Sequence, residues 1–135
     1  MAGYSATPLW KKLGYKNGTC AYVEGAPQTY VAELRLPSAV SVRWAKAATT
    51  EINFVHLFVS RRSGLRTKLE SFRFRMVPNG VIWVSWPKKS SGVVTDLTED
   101  MVREAALPLG LVDVKVCAVN EVWSGLKLMI RKKLR

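Results

Sequence analysis

Residues 83–128, WVSWPKKSSGVVTDLTEDMVREAALPLGLVDVKVCAVNEVWSGLKL, carry the most explicit structural punctuation in the chain. A run of valine and tryptophan ends at Pro87, which removes a backbone donor and stops a strand. A basic loop follows, Lys88-Lys89-Ser90-Ser91-Gly92. Thr98 then stands where a helix cap belongs. Glu99 and Asp100 complement the positive end of that helix, and Leu97 with Val102 supplies a hydrophobic staple. Pro108 and Gly110 close the helix. Val112-Asp113-Val114-Lys115-Val116 alternates at the strand period, Asn120-Glu121 turns the chain, and 123–130 supplies a partner strand. Strand, loop, helix, strand and returning strand is the ending of a layered α/β sheet.

The first half leads into this ending. Residues 7–14 read as a short helix, with Thr7 as cap, Pro8 in the first position and Gly14 as stop. Asn17-Gly18 turns into a strand over 19–24, which runs into Gly25-Ala26-Pro27. A second short helix is expected over 30–36, ended by Pro37, and a half-buried strand over 40–44. INFVHLFV, 52–59, is apolar and β-branched or aromatic throughout, as in a strand buried on both faces of a parallel sheet. His56 within it reads as a hydrogen-bonded core residue. The clearest amphipathic helix is 61–76, with Leu65, Leu69, Phe72 and Met76 as its apolar stripe. Gly64 weakens its first turn by about 1 kcal/mol. Arg62, Arg66 and Arg73 flank the stripe on one side, and Arg61, Lys68 and Arg75 on the other. They form either a solvated face or a ridge for a polyanion. Pro78-Asn79-Gly80 turns into the strand at 81–86, and the basic tail 131–135 is expected to fray. The alternation of elements predicts a Rossmann-like three-layer α/β sandwich, mostly parallel with an antiparallel edge strand, and 135 residues fit a single domain, 1–135.

Composition narrows the function classes. At 48% hydrophobic residues the chain can bury a core and is not a disordered segment. No apolar run reaches the roughly 20 residues that span a bilayer, and MAGYSATPLWKK lacks the order of a signal peptide. The expectation is a cytoplasmic protein with no membrane association. Cys20 and Cys117 then read as free, packed thiols, and one histidine with two separated cysteines makes no metal site. A formal net charge of +11 attracts anionic small molecules and nucleic acid alike, without choosing between them.

The element order is similar to that of class I S-adenosylmethionine-dependent methyltransferases. There, too, a proline-glycine turn precedes a late strand and an antiparallel last strand closes the edge. Shorter words are more specific. Val84-Ser85-Trp86-Pro87-Lys88-Lys89, Asp96-Leu97-Thr98-Glu99-Asp100 and Trp123-Ser124-Gly125-Leu126-Lys127 resemble the hallmarks of a bacterial family of short proteins known only as a domain of unknown function. So do Gly3-Tyr4-Ser5, Thr7-Pro8 and Lys11-Lys12-Leu13-Gly14. That second resemblance implies a bacterial protein and transfers no catalytic residue.

The methyltransferase resemblance implies three features: a glycine-rich loop after the first strand, an acidic residue ending the second to accept from ribose hydroxyls, and an acidic or Asn-Pro-Pro-type loop after the buried strand. Here the first loop is Glu24-Gly25-Ala26-Pro27-Gln28, with one glycine, so Glu24 and Gly25 are its only cofactor candidates. The second strand ends Val42-Arg43-Trp44-Ala45-Lys46, without an acid, and the buried strand is followed by Ser60-Arg61-Arg62. No cofactor is therefore expected, with S-adenosylmethionine as the alternative. No Walker-type loop is present, and a Ser–His–Asp arrangement would need the packed His56. The candidate ligand-binding residues are Lys88, Lys89, Ser90, Ser91, Asp96 and Thr98, on a loop leaving the carboxyl end of a strand, where open α/β sheets bind ligands. Asp96, Glu99, Asp100 and Glu104 either brace the lysines or serve the helix start. Trp83, Trp86 and Trp123 are core packing or a stacking wall for a ring. The reading is a degenerate, non-catalytic methyltransferase-like binding module. The alternatives are an enzyme using residues 88–100 and a nucleic-acid binder using the basic surface.

Overall fold

A computed structural model describes residues 7–47, 49 and 51–135, so the Gly3-Tyr4-Ser5 word lies outside the described residues. Six strands form one sheet in the order β2-β1-β3-β4-β6-β5: β1 Thr19–Glu24, β2 Val42–Trp44, β3 Phe54–Phe58, β4 Val81–Pro87, β5 Leu111–Ala118 and β6 Trp123–Ile130. β2, β1, β3 and β4 run parallel, and β6 pairs antiparallel with both β4 and β5. Helices α1 Leu9–Leu13 and α2 Tyr30–Leu34 pack on one face, and α3 Leu65–Arg75 and α4 Glu99–Ala106 on the other. This is the three-layer sandwich that the alternation predicts.

Alternation within each strand divides the core. Ala21, Phe54, Phe58 and Trp83 point to α1 and α2, where they join Leu13, Tyr15, Tyr30 and Leu34. Cys20, Val55, Leu57, Ile82, Val84, Trp86, Leu126 and Leu128 point to the α3–α4 face and meet Leu65, Leu69, Phe72, Val102 and Ala106. β3 is buried along its whole length, as expected of INFVHLFV. The expected Thr98 cap forms, its hydroxyl accepting from Met101 N at 3.3 Å. Asn120 Oδ1 accepts from the amides of Val122 and Trp123 and so holds the β5–β6 turn.

Several boundaries differ from the sequence reading, each for a local reason. Thr7 is not the cap of α1; Pro8 holds that position in extended backbone, without a side-chain cap. α2 stops at Leu34 rather than 36, because Arg35 turns left-handed (φ 54°) ahead of Pro37. α3 begins at Leu65, not Arg61: Gly64 adopts φ 81° and occupies the cap position, so Arg61 and Arg62 belong to the preceding loop. The tail does not fray. Residues Lys132–Leu134 form a 3-10 turn, with Arg131 N donating to Gly110 O at 2.9 Å and Arg135 Nε to Ile130 O at 2.7 Å. Among the described residues no helix is long and apolar enough to cross a membrane.

His56 is fully buried, as expected, and lies in a polar chain running through the α1–α2 face. Its Nδ1 is 2.8 Å from Tyr30 Oη, which is 2.8 Å from Tyr15 Oη; its Nε2 is 2.7 Å from Ser85 Oγ. A neutral imidazole offers one donor and one acceptor, which fits two hydroxyl neighbours. Burial drives the His56 pKa down to about 3 and raises those of Tyr15 and Tyr30 well above the usual phenol range. The folded state thus excludes a proton that the unfolded chain accepts near pH 6.5. This contribution to stability is complete above pH 6.5 and is lost as pH falls toward 3. Between pH 6.5 and 5, above the carboxylate range, the unfolding free energy should fall with a limiting slope of about 1.4 kcal/mol per pH unit. Urea titrations across that window should show the slope in the wild type and a flat response in His56→Gln.

Candidate functional site

The chain leaves β1 for β2 on one side, then crosses back to β3 on the other. The loops after β1 and β3 therefore diverge to opposite faces, the former into α2 and the latter into α3. In open α/β sheets such a switch point is where ligands enter. The residues at this crevice are Glu24 and Gly25 after β1 and Phe58 to Arg62 after β3.

Gly25 has φ 74°, and a Cβ built on it would lie 2.6 Å from Phe58 O. Only glycine lets the β1 loop lie this close to the end of β3. Glu24 is engaged in a part-exposed brace to α3. Its carboxylate accepts from Lys68 of α3 and from Tyr22 Oη at 3.1 Å. The Lys68 hydrogen bond holds the Glu24 carboxyl below the ordinary carboxylate range. At the end of β2, Arg43 is paired with Glu51, so the polar groups there are engaged with each other.

The loop after β4 is largely self-satisfied as well. Lys89–Ser91 form a 3-10 turn closed by Gly92. Ser91 Oγ donates to Lys88 O at 2.6 Å and accepts from Val93 N at 3.2 Å. Asp96 Oδ1 accepts from Arg62 N at 2.7 Å, and Thr95 Oγ1 donates to Ser60 O at 2.7 Å, so this loop is stitched to the one after β3. Thr98 caps α4. Glu99 and Asp100 do not pair with Lys88 and Lys89: both bind Arg103, which also reaches Asp113 of β5 at 3.0 Å. Of the six candidate residues, Ser91, Asp96 and Thr98 are thus committed to the backbone. Lys89 and Ser90 are exposed, and Lys88 is half-buried. Arg62 of the loop after β3, with α3 and α4, borders a cleft of about 220 Å³ lined by Arg62, Leu65, Arg66, Met101, Glu104 and Ala105.

The aromatic residues resolve into packing. Trp83 is buried on the α1–α2 face, its Nε1 donating to Leu13 O at 2.8 Å, and Trp86 is buried on the other face. Neither is a stacking wall. Half-buried Trp123 packs edge-on against Phe58. Cys20 and Cys117 are free thiols, as expected. The sequence reading missed Tyr15 and Tyr30 as partners of His56. The available signal was Ser85, a hydroxyl on the inward face of an apolar strand, which implied a buried polar neighbour.

Comparison with known proteins bears on the fold. No protein-family model matches the chain, and no curated protein matches its sequence. Solved structures do. An S-adenosylmethionine-dependent methyltransferase from Aquifex aeolicus aligns at TM-score 0.61 and 13% identity, over 89% of this chain and 86% of that one. Fibrillarin from Aeropyrum pernix, in complex with natively bound S-adenosylmethionine, aligns at 0.58 and 11%, over 94% and 70%. TnmH aligns at 0.66 and 11%, over 96% of this chain, which spans 52% of it. The chain has a methyltransferase-like Rossmann fold.

The two kinds of residue around the β4 loop should separate by mutation. Asp96→Ala removes the acceptor of Arg62 N and should cost about 1–2 kcal/mol of unfolding free energy. Lys88→Ala and Lys89→Ala should stay within about 0.5 kcal/mol of wild type. Urea denaturation measures both, and equal effects would show that the stitching is not what holds the loop.

Proposed function

We propose that this chain is a non-catalytic binding protein built on the methyltransferase scaffold. The observation that carries this reading is the state of Glu24. Glu24, the acid that ends β1 at the crevice between β1 and β3, is bound to Lys68 and Tyr22, so taking a ligand hydroxyl would mean giving up its ion pair to α3. The neighbouring positions agree. The β1 loop has a single glycine, β2 ends in Arg43 and Trp44 with Arg43 held by Glu51, and Arg62 after β3 is held through its amide by Asp96. These residues do not fit the adenosyl clamp that the fold's resemblance implies, and none supplies a free general base. The sole histidine is buried and kept neutral.

The ligands that such a protein would take are anionic, given a net charge of +11 and two lysines, Lys88 and Lys89, outside every ion pair among the described residues. Nucleic acid is the less favoured partner. The arginines expected to form a ridge are divided, Arg62 and Arg73 being engaged with Glu104 and Leu109 O.

S-adenosylmethionine binding is the second reading. It is favoured by Gly25, which lets backbone approach closely at the switch point, and by the natively bound cofactor of the A. pernix fibrillarin. Calorimetry with S-adenosylmethionine and S-adenosylhomocysteine decides between the two. We expect no saturable heat with either; micromolar binding of one would establish the second reading in place of the first.

A further inference from the structure

Two sequence words from opposite ends of the chain, Lys11-Lys12-Leu13-Gly14 and Trp123-Ser124-Gly125-Leu126-Lys127, meet on the α1 side of the β5–β6 hairpin. Gly125 has a packing reason: a Cβ there would lie 3.1 Å from the Trp83 ring and 3.2 Å from Val119. Lys127 has none. It stands directly across from Lys115 in the β5–β6 register, and like charges opposite each other in an antiparallel pair are destabilising. Lys12 completes a group of three. Its Nζ donates to Ala118 O at 2.9 Å, and Lys115 Nζ donates to Lys12 O at 3.1 Å. Lys127 Nζ lies 3.7 Å from where a Cβ of Gly14 would be.

The six ion pairs among the described residues use none of these lysines, and residues 1–6, 48 and 50 contain no carboxylate side chain that could neutralise them. Carbonyl binding accounts for Lys115, on Lys12 O at the end of α1, and for Lys12, on Ala118 O at the end of β5. It leaves unexplained a half-buried ammonium on the inner strand, held below the ordinary lysine range by burial and then by Lys115. Lys12 and Lys115 both also act on the Cys117 thiol beside them, against the upward push of its burial.

We propose that Lys12, Lys115 and Lys127 bind the phosphate group of a small anionic ligand. An oxyanion there would turn the cross-strand repulsion into charge-assisted hydrogen bonds. The site lies on the antiparallel side of the sheet, away from the β1–β3 crevice, and does not depend on what that crevice takes.

The test titrates inorganic phosphate, pyrophosphate, adenosine monophosphate and a short oligonucleotide, followed by calorimetry and amide chemical shifts. Saturable binding is expected for the small phosphates, with shifts at Lys12, Gly14, Lys115 and Lys127. Lys115→Gln and Lys127→Gln should each weaken it about tenfold. Lys127→Gln should also raise the melting temperature in phosphate-free buffer, because it relieves the repulsion while leaving the Lys115 bond to Lys12 O in place, an effect opposite to losing a structural contact. Lys46→Gln, at an exposed lysine, should change neither. The proposal is overturned if the shifts fall at Arg66 and Arg75 instead, if both variants bind as wild type does, or if only the oligonucleotide binds, with a steep salt dependence. If S-adenosylmethionine binds after all, Lys127→Gln should leave that binding unchanged, so the two proposals fail separately.

Discussion

A neutral imidazole buried between two hydroxyls fixes one whole side of this molecule. Tyr15 follows α1, Tyr30 opens α2, His56 is the middle of β3 and Ser85 is in β4, so the chain of hydrogen bonds joins the two helices of that face to two adjacent strands. Trp83 adds a second tie, from β4 to the last turn of α1. Sliding either helix would strand a buried donor or acceptor, at a cost of about 1–3 kcal/mol for each group. An apolar layer could tolerate small shifts, but a hydrogen-bonded one has a single register. This explains how helices of five residues each, too short to be stable alone, hold a fixed place on the sheet.

The other face is held differently. α3 and α4 contribute Leu65, Leu69, Phe72, Val102 and Ala106 to an apolar core that has no buried polar chain among the described residues. Its polar ties run along the surface: Lys68 to Glu24, Asp96 to the Arg62 amide, and Arg103 to Glu99, Asp100 and Asp113. The first two tie the end of β1 and the loop after β4 at the carboxyl edge of the parallel strands, the edge where the fold presents its ligand crevice, and the third ties α4 to β5. Most acidic groups there are engaged with the protein itself. Surface ties of this kind contribute little individually, about 0–1 kcal/mol, but together they fix which side chains remain free.

Much of the sheet was legible in the sequence because each signal was local and unopposed. The Thr98 cap, the turn at Pro78-Asn79-Gly80, the β5–β6 turn and the unbroken apolarity of β3 needed no tertiary information. The misread boundaries lie where one residue outweighed a pattern: Gly64 in left-handed backbone overrode the periodicity that extended α3 back to Arg61, and Arg35 ended α2 before Pro37. The candidate site was less legible, because exposure depends on layers that no local pattern specifies. Strand alternation dictates that Trp83 and Trp86 face opposite sides of β4, but that both faces are covered follows from where α1 and α4 dock. Likewise, nothing local shows that Asp96 turns to a backbone amide 34 positions away rather than to the adjacent lysines.

The β5–β6 hairpin shows the same limit from the other direction. Strict alternation over 112–116 marks a strand, and in an unbroken ladder it would also place Val112, Val114 and Val116 on one face. A register shift between Asp113 and Lys115 breaks the ladder at Val114, and Val114 and Val116 are left 52% and 46% exposed. A bulge and a lysine on an edge strand are established ways to discourage pairing with another chain, so Lys115 alone could be read as protection of the edge. That reading does not extend to Lys127. It lies on β6, between β4 and β5, where no edge needs guarding, and the break in register is what brings it opposite Lys115. An inner-strand lysine held against a like charge is a cost without structural return, and the physical arrangement that removes the cost is an anion between the two.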